Sequence, residues 1–136
     1  MQFHPEINDD ELTSTIIGVA IEIHTKAGPD HPEKVYKKLM ARGLEKEDLD
    51  CEVEYAVDVE LFDVDCGTRR LDLFVEDEVV VELKALKSLQ PEHLTQLGSY
   101  VQLVGASRGL LLNFGAPRLD IQRFSTPAWI KENTDS

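Results

Sequence analysis

Residues 11–26 place Leu12, Ile16, Val19 and Ile23 at helical spacing, which predicts an amphipathic first helix. Asn8, Asp9 and Asp10 are available as its caps and Gly28-Pro29 as its stop. A second helix is expected to begin near His31-Pro32 and to end before Gly43, since proline suits the first helical position. Val35, Tyr36, Leu39 and Met40 form its stripe. After a charged, turn-like stretch over residues 44–50, residues 51–62 alternate acidic with apolar side chains, the pattern of a half-exposed strand. Residues 63–67 read as a hairpin connection in which Gly67 supplies the awkward dihedral. Residues 70–75 and 78–85 are rich in Val, Leu and Phe and predict two more strands, so the three together make an antiparallel meander. Helical period returns over residues 91–104 through Leu94, Leu97, Val101 and Val104. Residues 108–114 are a continuous apolar run, as in a strand covered on both faces; it ends at Asn113 and is expected to pair parallel through a right-handed crossover. Residues 115–136 read as a C-terminal arm, in which a short helix or an extended segment docks Trp129. The whole is expected to be one α/β domain over residues 1–136, with a core from about residue 11 to 124.

A chain of 136 residues, 42% hydrophobic and 29% charged, has room for one packed core without staples. Its formal charge of −12 changes the picture more, because it repels nucleic-acid phosphates over most of the surface. Any nucleic-acid contact must therefore use local Lys and Arg or bound cations. Cys51 and Cys66 sit in no CxxC or Cys/His cluster, which argues against zinc; a disulfide across the hairpin is open, and reduced thiols are the expected state. No apolar run is long enough to span a membrane, and the first residues carry neither a basic nor an apolar leader region. A cytoplasmic protein with no membrane partner is the expectation.

The chemistry concentrates in residues 70–100. Within 78–85, Val79, Val81 and Leu83 alternate with Val80, Glu82 and Lys84, so Glu82 and Lys84 share a face. Whether Asp72 joins them depends on the turn. A three-residue loop, Glu76-Asp77-Glu78, sets Val75 against Val79 and Asp72 against Glu82; a two-residue loop would oppose Asp72 to Val81. The first is adopted here, since it puts both carboxylates on one face. Together they can hold a hard divalent cation, with the Leu83 carbonyl as a further oxygen ligand.

Asp72 followed by Glu82-Leu83-Lys84 resembles the D…(D/E)xK signature of the PD-(D/E)XK nuclease superfamily, and Gln96 with Tyr100 resembles the QxxxY element of its RecB-like and lambda-exonuclease-like branches. Residues 70–77, 81–85, 96–101 and 111–114 are similar to the RLDLLVED, VELKA, QLxxYL and LLxNF segments of the GxxExxY protein family, and the likeness spans roughly residues 17–124. The resemblance implies a restriction-endonuclease-like core in which the antiparallel meander is followed by a crossover helix and a further parallel strand. It implies Mg2+- or Mn2+-dependent hydrolysis of phosphodiester bonds, with nucleic acid, and DNA first, as partner. Asp72, Glu82 and Leu83 are then the metal ligands, and Lys84 steadies the attacking water or the developing charge. Glu33 joins the metal site, because Glu33-x-x-Tyr36 falls where the family has its ExxY element; the family's glycine is Asp30 here. Gln96 and Tyr100 orient site groups or phosphate.

Taken without the resemblance, each residue has an ordinary role. Glu33 complements a helix dipole, a Gln/Tyr pair four apart is a core edge, and Glu-x-Lys is common on exposed strands. Glu22 is a solvated helical charge or an outer carboxylate of the site. Lys34, Lys37 and Lys38 are the densest basic cluster and, with Tyr36, the best phosphate contact the chain offers. The acidic balance and Asp30 motivate the alternative of a catalytically inactive nuclease-like domain that binds nucleic acid or a protein partner. A purely structural or oligomer-forming domain is the third reading.

Overall fold

The computed structural model describes residues 10–134. Their elements run α1 (Glu11–Ala27), α2 (Glu33–Lys46), β1 (Cys51–Leu61), β2 (Val64–Val75), β3 (Val79–Lys84), α3 (Pro91–Leu103), β4 (Arg108–Asn113), β5 (Asp120–Ser125) and α4 (Pro127–Thr134). The five strands lie in sequence order in one sheet. β1, β2 and β3 form the antiparallel meander, β4 returns parallel to β3 after the α3 crossover, and β5 closes the other edge antiparallel to β4. The architecture is the α/β, restriction-endonuclease-like one that the pattern of elements predicts.

Two apolar layers hold it together. Ile16, Ile17 and Ala20 of α1 and Tyr36, Met40 and Leu44 of α2 pack on Leu73, Val75, Val79, Val81 and Leu83. On the opposite face Leu97 and Val101 of α3 pack on Phe74, Val80, Leu111 and Phe124. All six residues of β4 are buried, because helices cover both of its faces. Among the described residues no helix is long and apolar enough to cross a membrane.

Several boundaries differ from the expectation. The second helix does not stop before Gly43 but runs on to Lys46. Gly43 is a packing residue: a Cβ there would lie 2.5 Å from Val19 Cγ1 of α1, so the missing side chain lets the two helices close up. Leu39, expected on the buried stripe, is exposed, and Leu44 takes its place. Of the three expected caps of α1, Asn8 and Asp9 fall outside the described residues; Asp10 accepts the Thr13 N–H at 2.9 Å. The β1–β2 turn is Phe62-Asp63, both at positive φ, while Gly67 (φ 89°) serves a bulge inside β2 between the pairs Asp58–Thr68 and Glu60–Asp65. Residues 120–125 form a strand inside the stretch read as an arm, since the free edge of β4 pairs with a segment of little strand character of its own. The predicted helix after it is present as α4, and Trp129 lies against the Arg108 guanidinium, 5.2 Å from its ring centre. Both cysteines are free thiols; burial, then the charge of Glu52, pushes that of Cys51 up to about 11.

Gly115 sets how closely the end of β4 approaches the end of β3. A Cβ there would lie 2.5 Å from the Ala85 carbonyl carbon and the Leu86 oxygen, backbone atoms that cannot rotate away. Gly115→Ala is therefore expected to cost about 1–3 kcal/mol, read as a lower urea midpoint at unchanged slope; an unchanged midpoint would show that the two chain ends separate freely.

Candidate active site

The turn after β2 decides the site. Glu76 and Asp77 both take left-handed φ values, 53° and 54°, and the Glu78 N–H reaches back to the Val75 carbonyl at 2.9 Å. The ladder that results pairs Val75 with Val79, Phe74 with Val80 and Leu73 with Val81, and there it stops. At the next position the carboxylates take over from the backbone. The Asp72 N–H donates to Glu82 Oε2 at 2.7 Å, and the Leu83 N–H donates to Asp72 Oδ2 at 2.8 Å. Each side chain thus satisfies an amide that the opposite strand would otherwise have served, and the two carboxyls are drawn together.

The other neighbour of β2 bends at the same level. Glu54 sits in β1 opposite Asp72, between the pairs Val53–Leu73 and Tyr55–Leu71, with a left-handed φ of 53°. Cys51 and Val75 pack on the α1/α2 layer, whereas Tyr55 and Leu71 pack on the α3 layer, although all four share one alternation. The hairpin therefore changes faces at Glu54 and Asp72. Across this crossover Lys37 of α2 reaches in, its Nζ 3.1 Å from Asp72 Oδ1 and 3.4 Å from Glu54 Oε1. Burial alone would lower the Lys37 ammonium, but the hydrogen bonds and charges of Asp72 and Glu54 hold it above its ordinary value.

Glu82 is only 6% exposed. Burial first, then the charge of Asp72, pushes its carboxyl up to about 8. Glu33 is raised by burial and by Asp72, against the lowering pull of Lys84 and Lys37, which places it in the field of all three. The Tyr100 hydroxyl of α3 is raised by burial and then by the Glu82 charge. Lys84 ends β3 half-buried, and its backbone is pinned: its carbonyl accepts the Phe114 N–H at 2.8 Å. One step on, the fully buried Asn113 side chain binds both the N–H and the carbonyl of Leu86, each at 2.9 Å. Besides β2 and β3 themselves, α2, α3, β1 and β4 therefore converge on the end of the β2–β3 pair.

Other residues singled out in the sequence go elsewhere. Tyr36 is a correction: its ring is fully buried and stacked on Phe114 with centroids 4.5 Å apart, and its hydroxyl donates to the Gly28 carbonyl, so it offers no surface to a phosphate. Gln96 is exposed and no hydrogen bond links it to the carboxylates. Lys34 and Lys38 are exposed on α2, while Lys37 of the same cluster turns inward. Glu22 pairs with Lys26 at the surface, 2.9 Å away, as a solvated helical charge does. Asp30 does not sit at positive φ; Gly28 (φ 75°) takes the left-handed position of that turn, so an aspartate at position 30 imposes no strain. Glu54 and Asn113 were missed as partners of the site. Asn113 was visible as a polar stop to an apolar run, whereas nothing local marks Glu54 among the alternating acids of β1.

The sequence profile of the PD-(D/E)XK nuclease superfamily matches residues 10–124. This chain belongs to that superfamily. The crystal structure of SSO0001 has the same fold, with a TM-score of 0.50 and 16% sequence identity over 94% of this chain and 75% of that one. No curated protein matches the chain in sequence. A nuclease-like domain is thus the established description, and members of the superfamily generally use divalent metal ions. Among the described residues no three His, Cys, Asp or Glu side chains gather in ligand geometry, so the donors on offer are two carboxyls. That set fits Mg2+, which is ordinarily held by one or two carboxylates with water and substrate phosphate completing the shell.

The sign of the site's effect on stability against pH follows from the Glu82 carboxyl. The folded chain keeps on Glu82 a proton that an unfolded glutamate releases near 4.5. The stability this proton confers is complete below that value and is lost as pH rises through about 8. In chelator, the unfolding free energy from urea titrations is expected to fall across that interval, this group contributing at most about 1.4 kcal/mol per pH unit. Glu82→Gln should flatten the fall; an identical slope in that variant would place the proton elsewhere.

Proposed function

We propose that the chain is a divalent-metal-dependent nuclease that hydrolyses phosphodiester bonds, with DNA as substrate, and that within its superfamily it belongs with the GxxExxY proteins. The observation that carries the reading is the reciprocal pairing of Asp72 and Glu82 with Lys84 next on the same strand face. Asp72 and Glu82, with the Leu83 carbonyl as a further oxygen, would hold a divalent cation, which would supply Lewis-acid activation of water and neutralise phosphate charge. Lys84 places a donor where charge develops on the phosphate, and its pinned backbone keeps that donor in register. Glu33 and Tyr100 bound the site from the two helical layers, Glu33 as an added carboxylate and Tyr100 as a hydroxyl that stays protonated at neutral pH.

The formal charge of −12 favours one rival, an inactive nuclease-like domain that binds a partner. The experiment that separates the two is cleavage of single- and double-stranded DNA in chelator, then with Mg2+ or Mn2+. Cleavage is expected only with metal, and Asp72→Asn, Glu82→Gln and Lys84→Met should each lower it by at least about 100-fold, with the circular dichroism spectrum of the parent. Full activity in Glu82→Gln, or no cleavage of any nucleic acid with any divalent ion, would favour the rival.

Lys34 and Lys38 are the exposed cations nearest in sequence to Glu33 and Lys37. On an acidic surface they should account for much of the backbone contact. Lys34→Ala with Lys38→Ala is expected to weaken DNA binding and to reduce the slope of log K against log salt by about 1–2, measured by fluorescence anisotropy; an unchanged slope would place the DNA elsewhere.

A further inference from the structure

Lys37 stands where the site's chemistry leaves one position open. Asp72 has committed Oδ2 to the Leu83 N–H, so Oδ1 is the oxygen it can offer a cation, and Lys37 Nζ covers that oxygen at 3.1 Å. The lysine side chain is only 18% exposed. Its second contact, Glu54, comes from a residue held at left-handed φ, a conformation glutamate does not favour and that the surrounding pairs impose. The ammonium therefore rests between two carboxylates from neighbouring strands. Glu33 stands in the field of Asp72, Lys37 and Lys84, and Glu82 is tied to Asp72 through the Asp72 N–H, so the acids next to Asp72 are answered by two lysines.

We propose that Lys37 is the internal counter-ion of Asp72: it holds the metal-free site together, and it gives up Asp72 Oδ1 to a divalent cation when one binds. It is a positioning residue, acting through Asp72. The inference rests on the metal-dependent reading above and adds to it a competition between a tethered cation and a free one. Removing the tethered one should tighten metal binding while loosening the metal-free protein, a pair of opposite effects that ordinary loss of packing does not produce.

The test uses the full chain and Mn2+ as probe, with Lys37→Met, which keeps the stem and removes the charge, Lys37→Arg, which keeps the charge, and Asp72→Asn. In calorimetric titration Lys37→Met is expected to bind Mn2+ at least about fivefold more tightly than wild type, and Lys37→Arg to return towards the wild-type affinity. In chelator Lys37→Met should melt below wild type, and saturating Mn2+ should raise its melting temperature by more. Lys37→Met that binds Mn2+ no more tightly than wild type, while Asp72→Asn abolishes binding, overturns the counter-ion role and leaves the metal reading standing. No Mn2+ uptake by wild type or by Lys37→Met overturns both.

Discussion

Two backbone amides at the end of the β2–β3 ladder are satisfied by carboxylates, and most of the site follows from that exchange. An N–H in this half-buried position needs an acceptor. Asp72 and Glu82 each supply one to the opposite strand, so the pairing of the strands and the closeness of the two acids are a single fact. A buried carboxyl next to another carboxyl is unfavourable when charged. The structure offsets this with the Lys37 ammonium on one acid and a retained proton on the other.

The far end of the same strand pair is held by a different device. Arg108, 4% exposed at the start of β4, binds Asp10 at the N-terminus of α1 and Glu78 in the β2–β3 turn, and Trp129 of α4 lies over its guanidinium. One cation thereby ties the first helix, the turn and the last helix to β4. Since the turn sets the register and the register sets Asp72 against Glu82, this knot supports the site from the opposite end of the sheet.

Much of the site was legible because it is local. Glu82 and Lys84 alternate with Val79, Val81 and Leu83 on one short strand, and a three-residue loop carries that alternation across to Asp72. The helices were legible for the same reason, as apolar residues at a fixed period. Gly43 misled because a glycine that ends a helix and a glycine that lets two helices touch look alike in sequence; only Val19 on the neighbouring helix tells them apart. β5 was missed because residues 120–125 owe their extended form to the open edge of β4 rather than to their own side chains.

By itself the sequence determined the order of elements as far as β4 and the alternation that puts Glu82 beside Lys84, since each depends on residues close together in the chain; of the two loop lengths it allowed, the structure holds the one that pairs Val75 with Val79 and so aligns Asp72 with Glu82. Only the tertiary structure decided that Lys37 points inward to Asp72 while Lys34 and Lys38 face solvent, that Glu54 is the acid of β1 that shares it, that Asn113 clamps Leu86, and that Tyr36 is core. These assignments join residues 17 to 35 positions apart or depend on which face of a helix meets the sheet. Periodicity along the chain cannot specify them, because they are set by how whole elements pack and by where a buried charge finds its partner.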